Sequence, residues 1–159
     1  MTNKELSQKI RTELKENGYS AKMVKVSVKD SLYDTVIKIT IKSPEVDKRK
    51  IEKLVNKYEE IDRDERTMEI LQGCNVFVSV LYDYGVFDEV SKPYMQRAAE
   101  LYNNPDECVK VAEDVYLLNI DNKEIRQQKP GEHCHYFIWN VPQLAEALYK
   151  LDKFNSLVF

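Results

Sequence analysis

Glycine and proline are scarce in this chain, with four glycines and five prolines in 159 residues. That scarcity leaves little room for linkers or low-complexity tracts, so disorder beyond the termini is not expected. No glycine-rich loop that could cradle a phosphate is spelled anywhere. No apolar run approaches the roughly 20 residues that a bilayer-spanning helix needs. The opening Met1-Thr-Asn-Lys-Glu-Leu6 is too polar for a secretory signal, and a cytoplasmic setting away from membranes is the expectation. The three cysteines, Cys74, Cys108 and Cys134, are odd in number and widely spaced, which argues against a disulfide framework. Charge of one sign is also lacking. A formal net charge of -3 is too small for a basic DNA-binding domain or for an acidic imitation of the duplex.

What is present reads as a compact α+β protein. The 43% hydrophobic and 32% charged fractions are globular values. Thr2 and Glu5 have capping-box spacing, and Leu6, Ile10 and Leu14 then recur along one helical face until Gly18. Val24, Val26 and Val28 alternate with Lys25, Ser27 and Lys29, and Ile37, Ile39 and Ile41 with Lys38, Thr40 and Lys42. Such alternation predicts two half-buried strands, joined through Asp30-Ser-Leu-Tyr-Asp34 as a hairpin. Ser43-Pro44 opens a second helix with an apolar stripe of Ile51, Leu54, Val55, Tyr58 and Ile61. The nearly unbroken apolar run Val76–Tyr82 predicts a strand that is central or covered on both faces, entered through a turn at Gly73. A third helix is expected to open at Ser91-Lys-Pro93 and to stop at Asn103-Asn-Pro105. Strands are then expected at Val109–Ile120 and His133–Trp139, either side of a polar Lys/Gln turn region, with Asn140 capping a last helix. The expected organisation is therefore a helix-strand-strand-helix-strand module with its following helix over residues 1–104. A strand-strand-helix elaboration over 105–159 packs on it.

The segments Lys4–Lys15, Val26-Ser-Val28 with Ile37-Lys-Ile39, Lys50-Ile-Glu-Lys-Leu54 and Glu69-Ile-Leu-Gln-Gly73 with Val76–Asp83 resemble the large polyvalent protein-associated domains of phages and other mobile elements. That resemblance covers roughly the first half and implies a topology and a mobile-element setting, with no catalytic residue. Cys74 departs from it, standing where such modules often repeat glycine. In its length and its Lys/Asn/Tyr-rich composition, the whole chain is similar to the small anti-CRISPR proteins that block type II, single-effector CRISPR nucleases. The similarity implies a phage counter-defence protein acting in the host bacterial cytoplasm, whose partner is such an effector with its guide RNA.

Several groups of residues are candidates for contact. Tyr82, Asp83, Tyr84, Phe87, Asp88 and Glu89 interleave aromatic rings with carboxylates, a pairing suited to a basic protein surface. The bland alternative is that Tyr84 and Phe87 fold back into the core. Glu59, Glu60, Asp62, Asp64 and Glu65 crowd the end of the second helix, where negative charge opposes the macrodipole. Such a run is more usually a solvated face. Lys25, Lys29, Lys38 and Lys42 share one sheet face that could track phosphates, but no stacking aromatic is read on it. His133-Cys-His135 is the most metal-like spelling, yet on a strand only the two histidines share a face, and Cys108 or an acid would have to complete a site. No metal, cofactor or enzymatic activity is expected. The leading expectation is stoichiometric inhibition of a type II effector nuclease by direct binding at a nuclease domain, preventing DNA cleavage. The alternative is a nucleic-acid-binding accessory module of a mobile genetic element that uses the lysine face.

Overall fold

A computed structural model describes residues 1–129 and 132–158. The chain is α+β, with helices and two separate sheets. It divides into two compact units, Met1–Val86 and Phe87–Phe159, each with its own core.

The first unit opens with α1 (Asn3–Glu16). Its capping box is formed as the sequence spells it: Glu5 N–H donates to Thr2 Oγ1, and Thr2 N–H donates to the Glu5 carboxylate. Strands β1 (Val24–Ser31) and β2 (Asp34–Ile41) run antiparallel, and β3 (Val76–Tyr82) lies parallel to β2 in the order β1-β2-β3. The alternation puts Val24, Val26, Ile37, Ile39 and Ile41 on one face. There they are buried with Ile10 and Leu14 of α1 and with Ile51 and Val55 of α2 (Lys48–Val55). Each such aliphatic side chain contributes about 2 kcal/mol through burial. The Arg11 guanidinium donates to the Val26 carbonyl, blunting the exposed edge of β1.

Three expectations for this unit are corrected. The apolar strand β3 is an edge strand with β2 at the centre, so Phe77, Ser79 and Leu81 fall on the outer face, where Leu81 is exposed. Helix α2 is capped by Asp47, whose carboxylate accepts from Arg49 N–H, while Ser43 holds only a turn at Glu45. The same helix ends at Val55 and does not reach Ile61. A single 3-10 turn, Asn56–Tyr58, follows, with the Tyr58 hydroxyl held by Glu13 of α1, and Glu60 then pairs with Val76. Those two anchors take the backbone off the helical path.

The second unit begins with a broken helical segment, α3 (Asp88–Ser91), a 3-10 turn through Pro93, and α4 (Met95–Tyr102), starting earlier than Ser91-Lys-Pro93 suggests. The boundary expected between residues 104 and 105 lies instead at Val86/Phe87, because α4 contributes Ala98, fully buried, to the second core with Leu144 and Leu148 of α5 (Val141–Phe154). Four antiparallel strands lie between: β4 (Cys108–Ala112), β5 (Val115–Asn119), β6 (Lys123–Lys129) and β7 (Glu132–Phe137), in sequential order. The single strand expected over Val109–Ile120 is thus two, folded at Glu113-Asp114, and the expected Lys/Gln turn region is largely β6. Residues 130 and 131 of that region lie outside the described residues. Polar Lys123-Glu-Ile-Arg-Gln-Gln-Lys129 conceals a strand because one of its inward positions is Gln127.

Gln127 is 1% exposed. Its side-chain oxygen accepts from Leu157 N–H at 2.7 Å and from the Ser156 hydroxyl at 3.2 Å. It thereby fixes the residues after α5, which leave the helix through Asn155 at φ +54. Replacement Gln127→Ala strands a buried amide and a buried hydroxyl, at about 1–3 kcal/mol for each unsatisfied group. The expected outcome is a loss of about 3 kcal/mol in chemical denaturation.

Candidate functional site

The end of the first unit where β2 and β3 begin carries an arrangement that stability alone does not account for. Ser31 pairs with Asp34, so the β1–β2 turn has only two residues, Leu32 and Tyr33. Leu32 lies at φ +54, and positive φ at the first position of a two-residue turn is the type II′ pattern, a glycine position. A leucine there is strained. Burial offers no compensation, since Leu32 is 95% and Tyr33 70% exposed.

Beside this turn the chain makes an excursion between Glu60 and Asn75. Its stem is closed by the pairs Glu60–Val76 and Arg63–Ile70, and the Arg63 guanidinium donates to the Met68 carbonyl. At the tip, the Asp64 carboxylate accepts from Thr67 and Arg66 N–H groups, which hold its pKa below the ordinary carboxylate value. Met68 is a second exposed apolar residue at positive φ, +61, and Ile70 and Leu71 are also exposed.

Asn75 joins the excursion to the turn. It is 2% exposed. Its side-chain nitrogen donates to Asp34 Oδ1 at 3.1 Å and to the Leu71 carbonyl at 2.8 Å, and its side-chain oxygen accepts from Asp62 N–H at 2.8 Å. Cys74 N–H donates to the Tyr33 carbonyl. Gly73 and Cys74 both have positive φ, so the glycine turn expected before β3 is present and is extended by one strained residue. Leu32, Tyr33, Met68, Ile70 and Leu71 therefore leave one end of the unit on two tethered turns, accompanied by exposed Asp62, Glu65 and Glu69. Apolar side chains flanked by charge are the composition of a protein-binding surface.

The acidic run is thus placed on the excursion, beyond α2. The macrodipole argument does not apply to it. Glu59 accepts from Val78 N–H and Asp64 organises its own loop, whereas Glu60, Asp62 and Glu65 are exposed or half-exposed carboxylates. The Tyr82–Glu89 run straddles the boundary between units and includes two residues with internal roles. The Tyr82 hydroxyl donates to the Val46 carbonyl and accepts from Lys48 N–H, and Phe87 is buried against Tyr149 with Lys150 Nζ over its ring. Phe87 is thereby closed to a partner, while Tyr82 is half-buried with its hydroxyl engaged. Tyr84 is fully exposed, and Asp83, Asp88 and Glu89 are exposed.

Lys25, Lys29, Lys38 and Lys42 are all exposed on the outer side of the first sheet. The reading that no aromatic shares this face is corrected. Phe77 pairs with Val36, which pairs with Lys29, so one ring stands at the β3 edge. His133 and His135 are exposed on one side of β7 while Cys134 points inward, its thiol raised in pKa by burial. Cys108 is on the opposite edge strand of the same sheet, three strand spacings or roughly 14 Å away, too far to share an ion with them. Among the described residues, no group of three or more His, Cys, Asp or Glu could hold a metal ion, and no helix is long and apolar enough to cross a membrane.

Compared with known protein families, characterised proteins and solved structures, the chain matches none. Function must therefore be argued from surfaces. Sequence reading passed over Leu32, Tyr33, Met68 and Asn75. A usable signal existed for the first pair, because Leu-Tyr occupies a two-residue turn where Asn-Gly or Gly-X is favoured.

Proposed function

We propose that this chain is an anti-CRISPR protein that binds a type II RNA-guided effector nuclease directly and stoichiometrically, in a bacterial cytoplasm, and leaves target DNA uncut. The observation that carries the reading is the pair Leu32 and Met68, two exposed apolar side chains on backbone that favours glycine. Selection for stability would remove both, while selection for a binding hot spot would keep them. Exposed carboxylates beside them complement the basic, nucleic-acid-facing surfaces of such an effector. Resemblance to mobile-element domains and to small anti-CRISPR proteins supplies the class of partner.

The test is target-plasmid cleavage by purified type II effector–guide complexes with increasing amounts of the chain, beside size-exclusion co-elution. Cleavage should stop near equimolar inhibitor, with a co-eluting complex. Charge reversal by Glu65→Lys with Glu69→Lys should raise the inhibitor required by at least about tenfold and weaken the salt dependence. Asp64 is left intact because it holds its own loop. Undiminished cleavage across the panel at large excess would reject the reading.

A further inference from the structure

The outer face of the four-stranded sheet has a composition unlike the first sheet's lysine face. Register defines two rows across it. Lys110 pairs with Tyr116, Tyr116 with Arg126, and Arg126 with His135. The neighbouring row runs Cys108, Leu118, Glu124, Phe137, and a further pair is Gln128 with His133. The alternate residues Val111, Val115, Leu117, Ile125 and Ile138 are the buried ones, so both rows stand on the side away from the core. Lys110, Arg126, His133 and His135 are exposed.

Aromatic rings lie among these polar side chains. Phe137 is 46% exposed and Trp139, the chain's single tryptophan, 64%, with ring centroids 5.5 Å apart. Trp139 is held through its backbone, its N–H donating to Gln143 Oε1 and its carbonyl accepting from the Tyr102 hydroxyl, which leaves the indole ring outside those bonds. Tyr116 is half-buried two strands from Phe137 and two residues along, roughly 12 Å away by strand spacing and rise. A hydrophobic core has no use for rings here. Bases separated from one another can stack on them while Lys110 and Arg126 meet phosphates.

We infer that this face binds single-stranded RNA, with bases on Tyr116, Phe137 and Trp139 and the backbone along Lys110, Arg126 and the two histidines. RNA is chosen over DNA because of Glu124 and Gln128. Glu124 already accepts from Arg126 Nε at 2.8 Å, so its charge is partly compensated, and a carboxylate on a phosphate-tracking face is useful as an acceptor for a 2′-hydroxyl. The inference is independent of the inhibitor reading and concerns the other unit.

The experiment is fluorescence anisotropy of the full chain with a labelled, unstructured RNA of about 12 nucleotides, its DNA counterpart, and duplex RNA. Single-stranded RNA should bind best, with affinity falling as salt rises. Tyr116→Ala with Phe137→Ala should weaken binding at least tenfold, Tyr116→Phe should retain it, and Arg126→Ala should weaken it and flatten the salt dependence. Lys25→Ala with Lys38→Ala, on the other sheet, should have no effect. Absence of RNA binding, equal binding of DNA, or an unaffected Tyr116/Phe137 variant would each overturn the proposal. So would a protein partner engaged by this face without RNA.

Discussion

Replacing Leu32 and Met68 together by glycine should make the protein more stable and a much poorer inhibitor. Left-handed backbone costs an ordinary residue roughly 1–2 kcal/mol, and glycine escapes that cost while losing up to about 1 kcal/mol through the greater freedom of the unfolded chain. Leu32 is 95% and Met68 61% exposed, so little burial is forfeited. The net gain for the pair is about 1 kcal/mol, a rise of roughly 5 °C in Tm for a unit of this size. Truncating a hot-spot side chain costs 2 kcal/mol or more, roughly 30-fold in affinity for each, so inhibition should fall by roughly a hundredfold or more. Thermal denaturation and the cleavage assay on the same preparation read both effects. A variant that is stabilised and still inhibits would locate the contact surface elsewhere, and one that is destabilised would show that the two turns are not strained as described.

The second large effect is expected at Asn75. Its side chain serves the turn through Asp34, the excursion through Leu71 and the Asp62 amide, all within 3.1 Å, and it is almost wholly buried. Asn75→Ala takes their side-chain partner from the part-buried Asp62 N–H and Leu71 carbonyl and frees the Asp34 carboxylate from one of its donors, for about 2 kcal/mol in all. The isoleucine core is untouched, so the loss should be local. Hydrogen exchange should accelerate by more than about a hundredfold at residues 61–74 and little at Ile39 or Ile51. Asn75→Asp is the informative companion, since it keeps the acceptor for Asp62 N–H and sets a carboxylate against Asp34. Inhibition should be lost in both variants because Met68, Ile70 and Leu71 are no longer held beside Tyr33.

Periodic elements were legible in the sequence. Thr2 with Glu5, the Val24–Val28 and Ile37–Ile41 alternations and Asn140 each announce a local rule, and each is obeyed. Illegible elements were those in which tertiary pairing overrode the local pattern. The stripe through Tyr58 and Ile61 continues a helix on paper, but Glu13 and Val76 supply stronger partners to Tyr58 and Glu60. Apolar β3 suggests a central strand, although its parallel pairing with β2 leaves one side as an edge. Gln127 disguises β6 because burial of a glutamine is decided by Ser156 and Leu157, 29 and 30 positions away. The candidate site was only half visible for a related reason. Carboxylates attract notice as charge, whereas Leu32, Met68 and Asn75 matter through backbone geometry and contacts that residue identity does not display.

The parallel pairing of β2 with β3 also sets an order of events during synthesis. Thr35 must await Val76, and the first sheet stays open along β2 until Tyr82 has been added, whereas each hairpin from β4 to β7 can close once its own two strands exist. Through that interval the emerging isoleucine strand has a bare edge able to pair with another chain. Lys25, Lys29 and Lys38, exposed on the two strands already made, and Lys42 just after them are placed where charge discourages such pairing on the ribosome and before folding is complete.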